Sequence, residues 1–293
     1  MFRPAFSAIL MVLGCVLLSC SSSSGSGGAG SGASSNDVTL TSDSYTLKPG
    51  EEEFYCYAMT LKSDIVITGF TPTYGEGTHH ILFAQTLSQE PDGFSNCRVL
   101  IKTTWAPLFV GGKETTPLKL PEGVGMKLTA GTQILLQLHL LNSGATPITD
   151  KTGVTMTGAP DPNAPFTPAG IFGLNDQRIS IPAGAAGYQE SMQCTPGKKM
   201  NVFAYLGHMH RIGTHYNLQQ NGQTVIDSGW NFDAQPTTPK TMVINPTDQL
   251  KLTCTYTNTT DQTVVWGEST LNEMCALVFY YTNFDGLDGC QQM

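Results

Sequence analysis

Glycine and proline punctuate this chain so often that little room is left for a helix. The 31 glycines and 17 prolines are dispersed along its length, and between them lie short runs rich in β-branched and aromatic residues. Strands are expected at Phe54–Leu61, Asp64–Phe70, His80–Ala84, Thr132–Leu141, Arg178–Ile181, Met200–His210, Thr214–Gln219, Gln249–Thr257 and Cys275–Thr282. No stretch reads as a helix of three or more turns. The expected fold is all-β, with antiparallel sandwiches of the jelly-roll type.

The first residues read as a targeting segment. Arg3 supplies a positive start, and Ala5 to Leu18 is an apolar run too short to span a bilayer securely. Leu17-Leu18-Ser19-Cys20 resembles a bacterial lipobox, with Cys20 as the acylated residue; Val12-Leu13-Gly14-Cys15 competes with it, and an ordinary cleaved signal is the plainer alternative. The Ser/Gly tract that starts at Ser21 cannot bury surface and reads as a flexible tether over residues 21–37. An exported chain is expected, lipid-anchored to the cell envelope, with the outer membrane favoured because no Asp follows Cys20. A periplasmic or extracellular protein is the alternative.

The remaining length suits two domains or one large β domain. Gly158-Ala159-Pro160-Asp161-Pro162-Asn163-Ala164-Pro165 is the strongest internal break, because its prolines cannot continue a central strand. The boundary is placed there, giving domains at 38–160 and 166–293. Charged residues make up only 13% of the chain and the net charge is −8. Without a basic patch, nucleic acid is not an expected partner. Cys56 and Cys97 fall before the break, and Cys194, Cys254, Cys275 and Cys290 after it. Each side has an even number, as an exported disulfide-bonded protein requires. No CxxC pair is present, which argues against a zinc ribbon.

The chemistry is carried by histidine. Five of the 6 histidines lie in three clusters: His79-His80, His139, and His208-Met209-His210. In Thr132–Leu140, alternation gives Ile134, Leu136, Leu138 and Leu140 one apolar face, and sends Gln137 and His139 to the other. Alone, His139 would read as a solvent-facing residue. His208 and His210 project from one strand face and can chelate one ion, while Met209 points to the core. His79 and His80, being adjacent, can reach one metal only at a strand end or bulge, which Gly75 and Gly77 upstream make plausible. Met274, in Glu273-Met274-Cys275, reads alone as core filler. His215 has no partner nearby and reads as structural or surface. Clustered imidazoles with one thioether, a soft donor, point to copper.

The ordered set His79-His80, Gln137-Leu138-His139, His208-Met209-His210 and Glu273-Met274-Cys275 resembles the copper type II ascorbate-dependent monooxygenases, as does Pro121–Gly125 upstream of the QxH. Each piece alone is weak; the order and spacing together are specific. The resemblance implies two jelly-roll-like β-sandwich domains facing each other across a solvent-filled cleft. Two coppers per chain are implied, one on His79, His80 and His139, the other on His208, His210 and Met274. Ascorbate or another one-electron reductant would supply electrons, and O2 would hydroxylate a C–H bond of a small-molecule substrate. By the same analogy the disulfides are Cys56–Cys97, Cys254–Cys275 and Cys194–Cys290.

Members acting on peptidylglycine place a basic residue before the HxH and polar residues after the EMC. Here those places hold Leu206-Gly207 and Ala276-Leu277-Val278, so a small or apolar substrate is expected instead. Two other readings compete: a copper-binding or electron-transfer lipoprotein without catalysis, and an adhesive β-sandwich with coincidental histidines.

Overall fold

The computed structural model describes residues 36–97, 102–113, 115–286 and 288–292; the lipobox at Cys20 and most of the tether lie outside them. Among the described residues 23 strands and no helix are present. A five-stranded sheet in the N-terminal half runs in the order Gly93–Asn96, Glu52–Thr60, Gln133–Leu141, Thr78–Thr86, Trp105–Gly112. Its inner face packs on a larger, ten-stranded sheet, and Ile134, Leu136, Leu138 and Leu140 are all 0% exposed in that core. The expected apolar face is therefore real, with each of these side chains contributing roughly 1.5–3 kcal/mol by burial.

The large sheet continues into the C-terminal half. Thr167–Asp176 meets Val124–Leu128 in a short parallel contact, and then pairs with Cys275–Thr282, which pairs with Met200–His208. The segment between Gly158 and Thr167, broken by prolines, has no strand. Against the C-terminal strands lies a four-stranded sheet of Ala186–Cys194, Leu250–Thr257, Gly213–Gln220 and Gln223–Gly229. Phe172, Leu218, Leu252, Tyr256, Phe279 and Tyr281 fill the core between them.

The two halves also meet through their other faces. Ile171, Gly173 and Asn175 alternate toward the five-stranded sheet, as do Leu206 with His208 and Ala276 with Val278. Tyr280 bridges the halves: its hydroxyl accepts from the Val110 N–H at 3.0 Å and donates to the Val110 carbonyl at 3.2 Å. The disulfides pair as expected: Cys56–Cys97, Cys194–Cys290 and Cys254–Cys275.

Candidate metal centre

His139 sits on the central strand of the five-stranded sheet, opposite His80. The next pair is Leu140 with Thr78, so His79 is an extra residue at a bulge. This break in alternation brings both neighbours onto His139. The rings of His79 and His80 lie 5.2 and 4.6 Å from the His139 ring, and one donor atom from each of the three lies within 4.8 Å of the others. His139 Nδ1 and His80 Nδ1 face each other at 3.3 Å.

Glu52 sets the orientation of His139. Its carboxylate accepts from His139 Nε2 at 2.7 Å, from the Thr270 N–H at 2.8 Å and from Ser269 Oγ at 2.9 Å. Burial alone would raise the Glu52 carboxyl, but these bonds outweigh it and hold it down to about 2. With Nε2–H spoken for, a neutral His139 presents the lone pair of Nδ1 toward its partners. Phe54 stacks on the same ring at 4.2 Å. His139 is 1% exposed, because the face it shares with Gln137 is covered by the C-terminal half and does not meet solvent.

His208 ends its strand, and His210 lies just beyond it. The projection of both rings thus depends on how the chain leaves the sheet. Glu273, 0% exposed, accepts from the His210 N–H at 2.9 Å, the Ile212 N–H at 2.8 Å and the Met274 N–H at 3.3 Å. One buried carboxylate ties the HxH turn to the EMC segment; burial pushes it up to about 7 despite these bonds. His210 Nδ1–H donates to the Asn272 carbonyl at 3.0 Å, and His208 Nδ1–H donates to Gln235 Oε1 at 2.9 Å. Both neutral rings therefore offer Nε2. Met274 is 3% exposed and precedes the strand locked by Cys254–Cys275. Tyr256 donates to its carbonyl at 2.9 Å.

The two sets are contiguous. The His80 and His208 rings are 5.1 Å apart, and those of His208 and His210 5.2 Å. The open cleft that the resemblance implies is replaced at this point by ring contact. Beside it lies a cavity of about 510 Å³ reached by His80, His208 and Met274 and walled by Leu206, Ala276 and Val278. Among the described residues Lys102 is the one charged residue on that wall; it is bound to Glu90 at 2.7 Å.

Burial, aided by neighbouring imidazoles, lowers His79 to about 2 and His80 well below the usual range. Burial lowers His208 to about 4 and His210 to about 3. These rings are neutral bases at physiological pH. His79 Nε2 and His210 Nε2 are buried with no hydrogen-bond partner, a costly state unless a cation takes the lone pair. Neutral imidazole nitrogens with a thioether close by suit copper and would serve Mg²⁺ or Ca²⁺ poorly. The residues fit the metal.

All six expected ligands thus come to one region, Met274 on the cavity shared with His80 and His208. His215 stands apart, paired with Asp227 at 3.0 Å and partly exposed. Sequence reading missed Glu52, Gln235, the Asn272 carbonyl and the clamping role of Glu273. Glu52 lies in Glu51-Glu52-Glu53, which reads as a solvated run, and only strand pairing shows that it shares a side with His139.

Residues 167–293 match the family model "Copper type II ascorbate-dependent monooxygenase, C-terminal domain". The chain is similar to peptidyl-glycine alpha-amidating monooxygenase A of Xenopus laevis, 25% identical over 84% of this chain and 28% of that protein. It is also similar to putative DBH-like monooxygenase protein 2 of Homo sapiens, 27% identical over 72% of this chain and 48% of that protein. The chain thus spans between about a quarter and a half of the relatives it matches. A solved structure, the major capsid protein P2 from Bacteriophage PM2, aligns over 85% of this chain and 98% of its own at a TM-score of 0.36 and 9% identity.

Proposed function

We propose that this chain is a dicopper monooxygenase that hydroxylates a C–H bond of a small or apolar substrate, using O2 and an external one-electron reductant such as ascorbate. The observation that carries this reading is the meeting of five imidazoles, four of them buried and His208 half-buried, from both halves of the chain beside a largely apolar cavity. The family match to residues 167–293 and the two monooxygenase relatives support it.

In this reading His79, His80 and His139 hold one copper in a domain of residues 38–160. His208, His210 and Met274 hold the other in a domain of residues 166–293. Bound copper supplies one-electron redox chemistry and the activation of O2. The chain's own residues do the rest. Glu52, Gln235 and the Asn272 carbonyl fix which nitrogen each of three rings presents. Glu273 holds the backbone of His210 and Met274 together. The Met274 thioether favours the reduced metal. Leu206, Ala276 and Val278 exclude water and retain an apolar substrate by burial. The chain is exported and tethered through a lipid on Cys20.

Metal analysis of the purified chain, joined to a screen for O2-dependent hydroxylation with ascorbate, tests the proposal. Two coppers per chain and a product carrying one oxygen atom from O2 are expected. A copper content clearly below two overturns it. Full copper without any oxygenated product would instead favour an electron-transfer or copper-carrying lipoprotein.

A further inference from the structure

His79 and His80 belong to one cluster but open onto different cavities. His80 lines the apolar cavity with Met274 and His208. His79 lines a second cavity of about 690 Å³, which among the described residues shares no lining residue with the first. The second is mostly polar. Among the described residues its charged side chains are Glu76, Lys113, Arg211 and Asp233, and Ser143 and Thr146 add hydrogen-bonding groups.

The segments that carry the cations adjoin the histidine cluster. The Lys113 backbone N–H donates to the His79 carbonyl at 2.9 Å. Phe232 stacks on the His79 ring at 4.2 Å, and the Arg211 guanidinium carbon lies 5.3 Å from the centre of the Phe232 ring. Arg211, Phe232 and His79 thus form a layered stack with a cation at its outer end and an imidazole at its inner end.

We propose that this cavity docks the electron donor, a small hydrophilic ene-diol anion of the ascorbate class, and that electrons enter the histidine cluster on the His79 side. The proposal rests on the copper reading above. Lys113 and Arg211 attract the anion, while Glu76, Asp233, Ser143 and Thr146 can receive or share its hydroxyl protons. The apolar cavity is unsuited to such a ligand, since the one cation among its described residues is paired and its walls offer little to replace lost hydration. In each encounter the donor loses one electron and one proton and leaves as its radical, and the electron would pass to the copper that His79, His80 and His139 would hold. Two encounters supply the two electrons that, with two protons, balance conversion of O2 and R–H to R–OH and water.

The test uses the copper-loaded full chain and follows disappearance of the Cu(II) electron paramagnetic resonance signal after rapid mixing. With ascorbate, the rate should saturate as concentration rises. In Lys113→Gln/Arg211→Gln, whose substituted side chains are exposed, saturation should be lost and the rate at low ascorbate should fall about tenfold, the lower end of electrostatic steering effects. Reduction by hexaammineruthenium(II), a cation, should not slow. A linear dependence on ascorbate in the unaltered chain, or equal slowing with both reductants, overturns the proposal while leaving the copper reading intact. Failure of the unaltered chain to bind copper removes both.

Discussion

His79, His80 and His139 are carried by two neighbouring strands of one sheet, whereas His208, His210 and Met274 sit where strands end or begin. In the first set, ladder pairing and one bulge already bring the rings together, and Glu52 only chooses the tautomer of His139. In the second, no ladder spans the three residues. Their arrangement depends on a buried carboxylate, a backbone carbonyl and a disulfide. The first set is a property of the sheet; the second is a property of one clamp between two loops, which makes it the more vulnerable.

Substitution should separate the two. Met274→Ala should abolish turnover while the three-histidine copper stays in place, as metal analysis and spectroscopy of the variant would show; loss of both coppers together would mean that the sets are not independent. Acid should act on both. His79, His80, His208 and His210 titrate lower in the folded chain than their ordinary 6.5, so the unfolded chain binds more protons below that pH. The metal-free protein should therefore lose stability as pH falls from about 6.5 toward 4, by up to about 1.4 kcal/mol per pH unit for each such ring. Denaturant midpoints across that range measure it, and a flat profile would contradict the neutral cluster.

Glu273→Ala leaves three backbone N–H groups without their acceptor, and should cost about 3 kcal/mol or more at roughly 1–3 kcal/mol each. Copper should be lost from the second set first. Glu52→Gln is milder, because the amide oxygen can still accept from His139; a weakening of copper binding at the first set by about 10-fold is expected from the loss of the carboxylate partner. If Glu52→Gln instead empties the second set, the contact of Glu52 with Ser269 and Thr270 matters more than its contact with His139.

The parts of the fold legible beforehand are those set by local pattern. Alternation in Gln133–Leu141 marks the core face, and the adjacent pair His79-His80 demands an irregularity, which the bulge supplies. The disulfide pairing and the ligand set came from likeness to a family, since spacing alone leaves both open. What stayed hidden depends on partners remote in the chain. Whether the face of Gln137 and His139 meets water depends on the C-terminal half lying over it. Glu52 is 87 residues from His139, and Gln235 is 27 from His208; no local pattern links such pairs. The strand through Met200 was expected to reach His210 but stops at His208, because Glu273 takes the N–H groups of His210 and Ile212 that a continuing ladder would use.

The unpaired position at His79 has a consequence for how this stretch can vary. In unbroken pleating, adjacent imidazoles would part, and one would be driven among Ile81 and Phe83. A residue gained or lost between Gly77 and Ile81 would thus exchange sides of the sheet for everything beyond it. Replacing a side chain there can be a graded injury, whereas altering the count is all or nothing.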